Sequence, residues 1–193
     1  MKYYIDIALI SNEEDNLGYL WRKFYVQIHL ALVEVRDENN LVSIGLSFPN
    51  YSNNRSLGDT LRLFSSTKEK LKELKLEVWL NRLEGYVFIG DIKEVPKNIN
   101  KFVSFRRKQF KTNVERLARR QAKRKKISYE EALKNYENFD GDKNKTKLPY
   151  VNIKSLSSER EMKIFIEKIE SSEEKKGMFS TYGLSRESTV PCF

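Results

Sequence analysis

YYIDIALI over residues 3–10, followed by LGYLWRKFYVQIHLAL over residues 17–32, sets the architecture. The first segment is rich in aromatic and β-branched residues and reads as a strand. In the second, Leu17, Leu20, Trp21, Phe24, Ile28 and Leu32 recur at helical spacing, so an amphipathic helix of roughly twenty residues follows the strand. Working outward, LVSIGLSF over Leu41–Phe48 reads as a strand stopped by Pro49, and Asp59–Phe64 reads as another. Ser66 and Glu69 form a capping box that opens a helix through Leu71 and Leu74 toward Leu80. GYVFIGDI over Gly85–Ile92 supplies a last strand before Pro96.

The order β-α-β-β-α-β predicts a ferredoxin-like domain over residues 1–96. Residues 97–193 are expected to form a second, α+β domain carrying the most basic stretch of the chain, so the fold class is α+β. Its elements are a basic strand over Phe102–Phe110 and a helix of about 112–126 opened by Thr112 and Glu115. A short helix opened by Ser128 and Glu131 follows, then strands over Tyr150–Lys154, Met162–Ile169 and Met178–Tyr182.

The chain has 193 residues, a formal net charge of +9 and a pI of about 9.4. Such a balance favours polyanionic partners. Its distribution is uneven. Lys101–Lys126 holds 12 of the 36 basic residues and one acid, Glu115, while the rest of the chain holds 24 basic and 26 acidic residues. Arg116, Arg119, Arg120, Lys123 and Arg124 fall at i, i+3, i+4, i+7 and i+8, which puts them on one helical face. A solvated charged face is the plain alternative, but Glu partners are missing from that face, and nucleic-acid contact fits better. Charge alone does not separate RNA from DNA.

Chemistry has few candidate carriers. Cys192 is the only cysteine and His29 the only histidine, which excludes an intrachain disulfide and a cysteine-rich zinc site. No metal site and no cofactor is expected. His29 sits beside the core-facing Ile28. It reads either as a boundary histidine or as a proton handler near neutral pH. The absence of a membrane-length apolar run and of a secretory pattern at Met1 points to a soluble, cytoplasmic protein with no membrane partner.

Several segments together resemble a known family: QIHLALV around His29, GLSFP at Gly45–Pro49, FRRKQ at Phe105–Gln109 with NVERLARR at Asn113–Arg120, PYVNIKSLS at Pro149–Ser157, FSTYGLS at Phe179–Ser185 and VPCF at Val190–Phe193. In this order they look like the Csy-type CRISPR endoribonuclease of subtype I-F. The resemblance implies metal-independent cutting of CRISPR precursor RNA at the 3′ base of a repeat stem-loop, leaving a 2′,3′-cyclic phosphate. It also implies that the enzyme stays on the mature hairpin, alongside the other subunits of the type I-F surveillance complex.

Residue by residue, the resemblance makes His29 the catalytic histidine. Ser155, with Ser157 as the alternative, positions the attacking ribose, and Tyr182 helps arrange the site. Arg107 and Gln109 read bases near the foot of the stem. An Arg fork suits guanine O6/N7 and a Gln amide suits adenine. Arg116, Arg119, Arg120, Lys123 and Arg124 match an arginine-rich helix lying along the stem's major groove. Met162 stands where the family can carry an aromatic under the last base pair, with Phe165 as a substitute. Cys192 stands where an aromatic can occur near the chain end. A catalytically inactive stem-loop-binding subunit of a ribonucleoprotein remains the alternative reading.

Overall fold

The computed structural model describes residues 1–11, 16–52, 55–110, 114–137, 148–154 and 161–193. It is a mixed α/β chain with antiparallel sheets. Strand β1 (Tyr3–Leu9) leads to helix α1 (Leu17–Glu34). Asn16 caps that helix: its side-chain oxygen accepts from the backbone N–H groups of Gly18 and Tyr19, satisfying donors that no helical carbonyl reaches. The expected apolar stripe is buried at Leu20, Trp21, Phe24, Ile28 and Leu32, and Tyr25 and Ala31 join it. Each fully buried large side chain such as Phe24 or Leu32 contributes roughly 1.5–3 kcal/mol.

The expected strand over Leu41–Phe48 is two short strands, β2 (Leu41–Val42) and β3 (Gly45–Ser47). They part because they pair with different neighbours: Val42 lies opposite Phe179, and Gly45 opposite Phe64. Strand β4 (Thr60–Ser65) follows as expected. The next helix differs twice from the sequence reading. Its N-cap is Thr67, which accepts from the Lys70 N–H, and not Ser66. It also breaks into α2 (Lys68–Glu73) and α3 (Leu76–Leu80), with Lys75 between them at φ 47°. Leu74 and Leu76 are both buried, yet two residues on one straight helix point about 200° apart. The break lets both face inward.

The expected strand over Gly85–Ile92 is β5 (Val87–Ile89), and a further short strand, β6 (Lys93–Glu94), pairs beside it on β1. The first sheet has the order β3-β4-β1-β5, with every pairing antiparallel.

Strand β7 (Phe102–Lys108) begins the next sheet. Two helices follow, α4 (Val114–Lys125) and α5 (Tyr129–Lys134). The chain then forms β8 (Tyr150–Lys154), the long β9 (Glu161–Ser171), β10 (Phe179–Ser180) and β11 (Val190–Pro191). The sheet order is β11-β7-β9-β8, again antiparallel, while β10 pairs with β2.

The change of sheet falls near residue 96, where the sequence suggests a domain boundary, but packing divides the chain elsewhere. One compact unit is Met1–Lys108 with Leu148–Phe193; the other is Gln109–Lys147. The first unit has one core that includes Ile7, Phe24, Leu63, Phe105, Ile153, Ile166 and Leu184 from both halves of the sequence. In the second, Ala118 of α4 and Ala132 of α5 are fully buried. Ser128 caps α5 by accepting from the Glu131 N–H at 3.0 Å, as the capping box predicts. Thr112, the expected cap of α4, lies outside the described residues. Among the described residues no helix is long and apolar enough to cross a membrane.

Candidate active site and nucleic-acid interface

Helix α1 presents Tyr25 and His29 one turn apart, so their side chains lie on the same side. Facing them is a turn after β10. Gly183 has φ 68°, and a Cβ there would run into the Leu46 side chain, so glycine is required on both counts. The turn is closed by its own bonds. The Gly183 N–H donates to Ser180 O at 2.7 Å, and the Ser180 N–H donates to Leu184 O at 2.9 Å. It is also tied outward, because the Leu46 N–H donates to Gly183 O and the Ser185 N–H to Phe105 O.

Two consecutive carbonyls of this turn point at α1. His29 Nδ1 lies 2.9 Å from Thr181 O, and the Tyr25 hydroxyl donates to Tyr182 O at 3.0 Å. The Tyr182 ring stacks on the imidazole at 4.1 Å and 5°, and is nearly parallel to Tyr25 at 6.5 Å. A carbonyl only accepts, so Nδ1 carries the hydrogen. Partial burial pushes the His29 pKa down, and the bond to Thr181 opposes this in part. Burial thus favours the neutral ring, and the bond to Thr181 leaves its lone pair on Nε2. That is the form a proton acceptor needs.

Arg107 lies on β7 opposite Ile166 of β9, and Met162 of β9 lies opposite Ile153 of β8. Arg107 Nη2 reaches Met162 Sδ at 3.8 Å. Its Nε is buried with no hydrogen-bond partner among the described residues. An unmet buried donor costs about 1–3 kcal/mol, more for a charged group, so this guanidinium is held incomplete. Burial pushes the Tyr25 phenol far up, then the nearby Tyr182 does so further, while the Arg107 charge opposes both. Arg107 is thus within electrostatic reach of the aromatic stack.

Of the residues singled out from sequence, His29 and Tyr182 come together, and Arg107 meets Met162. Phe165 is three residues from Met162 in one strand and so points to the opposite face; its ring lies 5.3 Å from Tyr150. Ser155 and Ser157 lie outside the described residues. Cys192 is half-buried, and its N–H donates to Lys101 O. Tyr25 is the participant that sequence reading missed. A buried aromatic one helical turn before the lone histidine was the available signal.

Within β7 the basic residues divide between the two faces of the strand. Arg106 and Lys108 share the face of β7 opposite Arg107 and are engaged by Glu167, at 2.6 and 3.4 Å. The Arg106 guanidinium, through its hydrogen bond, holds the Glu167 carboxyl below its ordinary value. In the other unit, Gln109, Arg116, Arg119, Arg120, Lys123 and Arg124 are all exposed. Glu115 does supply one acidic partner, to Arg119 at 3.5 Å, but an exposed helical pair of this kind is worth only about 0.3–0.5 kcal/mol.

Replacing Arg119 and Arg120 together with Ala is expected to weaken binding of an RNA hairpin and to flatten its salt dependence. The slope of log K against log salt should fall by about 2, on the order of one unit per lost phosphate contact. An unchanged slope in a salt titration removes these two residues from the phosphate contacts.

Among the described residues no group of three or more His, Cys, Asp or Glu is arranged to hold a metal ion.

These features define a class: a basic, mixed α/β chain whose single imidazole is clamped by a glycine turn. Within it, the chain belongs to the CRISPR-associated Csy4 family, whose model, described as CRISPR-associated protein (Cas_Csy4), matches residues 4–193. Among its relatives is the "CRISPR-associated endonuclease Cas6/Csy4" of Escherichia coli (strain UTI89 / UPEC), 32% identical over 194 residues and covering 100% of both chains. The protein of the same name from Pseudomonas aeruginosa (strain UCBPP-PA14) is 33% identical over 196 residues, again covering 100% of each. A solved structure described as "An RAMP protein binding different RNA substrates" covers 98% of this chain and 99% of its own at 10% identity and a TM-score of 0.36. A likeness that low carries no argument here.

Proposed function

We propose that this chain is an endoribonuclease that cuts CRISPR precursor RNA at the 3′ base of the repeat stem-loop and then stays on the mature hairpin. Family membership and the endonuclease name of its full-length relatives support RNA cutting. The observation that carries the mechanism is the His29 imidazole, held by Thr181 through Nδ1 with Nε2 left as the base.

In the proposed reaction the ribose 2′-oxygen attacks the adjacent phosphorus while Nε2 of His29 takes the 2′-OH proton. The phosphorus–5′-oxygen bond breaks, and the departing oxygen leaves as a 5′-OH after taking a proton from solvent, to which the His29 imidazolium later returns the proton it accepted. The upstream fragment ends in a 2′,3′-cyclic phosphate, and atoms balance with no metal in the step. Ser155, or Ser157, would orient the ribose. Tyr182 would hold the imidazole plane by stacking. Arg107, whose Nε has no partner among the described residues, and Gln109 would read bases at the foot of the stem. Met162, beside Arg107 and opposite in direction to Phe165, would cover the last base pair. Arg116, Arg119, Arg120, Lys123 and Arg124 would grip stem phosphates.

The strand order β3-β4-β1-β5, antiparallel throughout, with helices after β1 and β4, supports a ferredoxin-like arrangement for the N-terminal half. Assembly with other subunits of the type I-F surveillance complex belongs to the same reading.

The test is a repeat hairpin incubated with excess protein. A single cut 3′ of the stem, with the upstream fragment co-eluting with the protein, is expected. Tight binding that leaves the RNA intact establishes the alternative, an inactive stem-loop-binding subunit.

A further inference from the structure

We propose that Tyr25 is a positioning residue: its hydroxyl pins the Tyr182 carbonyl, and through it keeps the preceding carbonyl, Thr181, aligned on His29 Nδ1. This rests on the reading of His29 as the proton acceptor.

The two bonds come from residues one turn apart on one helix and end on consecutive peptide groups. The two peptide planes meet at the Tyr182 Cα, so fixing the Tyr182 carbonyl restricts the torsions that aim Thr181 O. The tether has no ready substitute in bulk solvent, since Tyr25 is 1% exposed. The stack adds a second constraint, because Tyr182 is nearly parallel to both rings at once. On the far side, Gly183 packs against Leu46 and the turn is fixed by its own bonds. With Thr181 O in place, the Nε2–H tautomer sets a nitrogen lone pair against a carbonyl oxygen and is disfavoured. With Thr181 O displaced, that penalty disappears, and a fraction of the enzyme carries its hydrogen on Nε2, where it cannot accept the 2′-OH proton. The stripe read from sequence omits Tyr25; its burial and the direction of its hydroxyl give it this part.

His29 is the single histidine, so one imidazole accounts for the whole ¹⁵N spectrum of histidine-labelled protein. The wild type is expected to show one protonated-type and one lone-pair-type nitrogen. In Tyr25→Phe, which keeps the ring and removes the hydroxyl, the two shifts should move toward each other. Its single-turnover cleavage should fall by at least about tenfold, as a wrong tautomer costs a base-dependent enzyme, while hairpin Kd stays within about twofold. Para-aminophenylalanine at position 25 restores a donor and should recover the rate; no recovery overturns the proposal. So do unchanged shifts or an unchanged rate in a Tyr25→Phe protein that still binds the hairpin. The underlying reading fails separately, if His29→Ala cuts at the wild-type rate. A dead His29→Ala beside a fully active Tyr25→Phe sinks only the part given to Tyr25.

Discussion

A repeat hairpin carrying one 2′-deoxy sugar immediately upstream of the cut is expected to bind as the all-ribose RNA does and to remain uncut. The attacking oxygen is then missing, and no neighbouring group on the chain replaces it within the covalent step. The effect is a complete block, larger than that of any side-chain change. Binding is spared because the grip proposed for α4 is on phosphates, which the deoxy sugar leaves in place. A gel of the deoxy RNA after long incubation with excess protein decides the matter. Cutting at the normal position and rate removes 2′-OH attack from the mechanism.

The second large effect is that of His29→Ala. Losing a positioned general base costs on the order of 10²–10⁴ in rate, while hairpin affinity should hold within about twofold, because a neutral half-buried imidazole supplies no phosphate contact. Single-turnover kinetics beside equilibrium binding separates the two; a large affinity loss assigns His29 to binding instead. The direction of its pKa shift sets the pH profile of the wild type. The acceptor form is the unprotonated ring. Burial lowers the His29 pKa, so the cleavage rate should climb with pH and level off with a midpoint below the ordinary histidine value of about 6.5. A midpoint above that value contradicts a base held neutral by burial.

Helix α1 was fully legible because its signal is local: apolar residues at helical spacing need no knowledge of the partner. Strand limits were less so. Leu41–Phe48 looks continuous until one knows that Val42 pairs with Phe179 and Gly45 with Phe64, partners far away in the chain. Lys75 at positive φ is likewise invisible to a pattern that counts leucines, since the break answers to where Leu74 and Leu76 find their core. Charge misled in a related way. Lys101–Lys126 reads as one basic patch, yet adjacent side chains on a strand point to opposite faces. Arg106 and Lys108 meet Glu167, which lies some sixty positions along the chain, while Arg107 turns the other way toward Met162.

The candidate site was legible as residue types and not as bonds. His29 and Tyr182 could be named from motifs, but no spacing rule brings residue 29 to the carbonyl of residue 181. Tyr25 shows the limit most plainly. Its ring fits the apolar stripe of α1, and a stripe records which face is buried, not where a hydroxyl on that face points.

The central claim is that a neutral His29 drives metal-independent 2′-OH attack. Its most direct measurement is the mass of the upstream fragment after hairpin RNA is incubated with the protein in excess EDTA. The account predicts cutting under those conditions and a 3′ end bearing a 2′,3′-cyclic phosphate. A free 3′-hydroxyl with a 5′-phosphate on the downstream fragment, or no cutting until a divalent metal is restored, would contradict it.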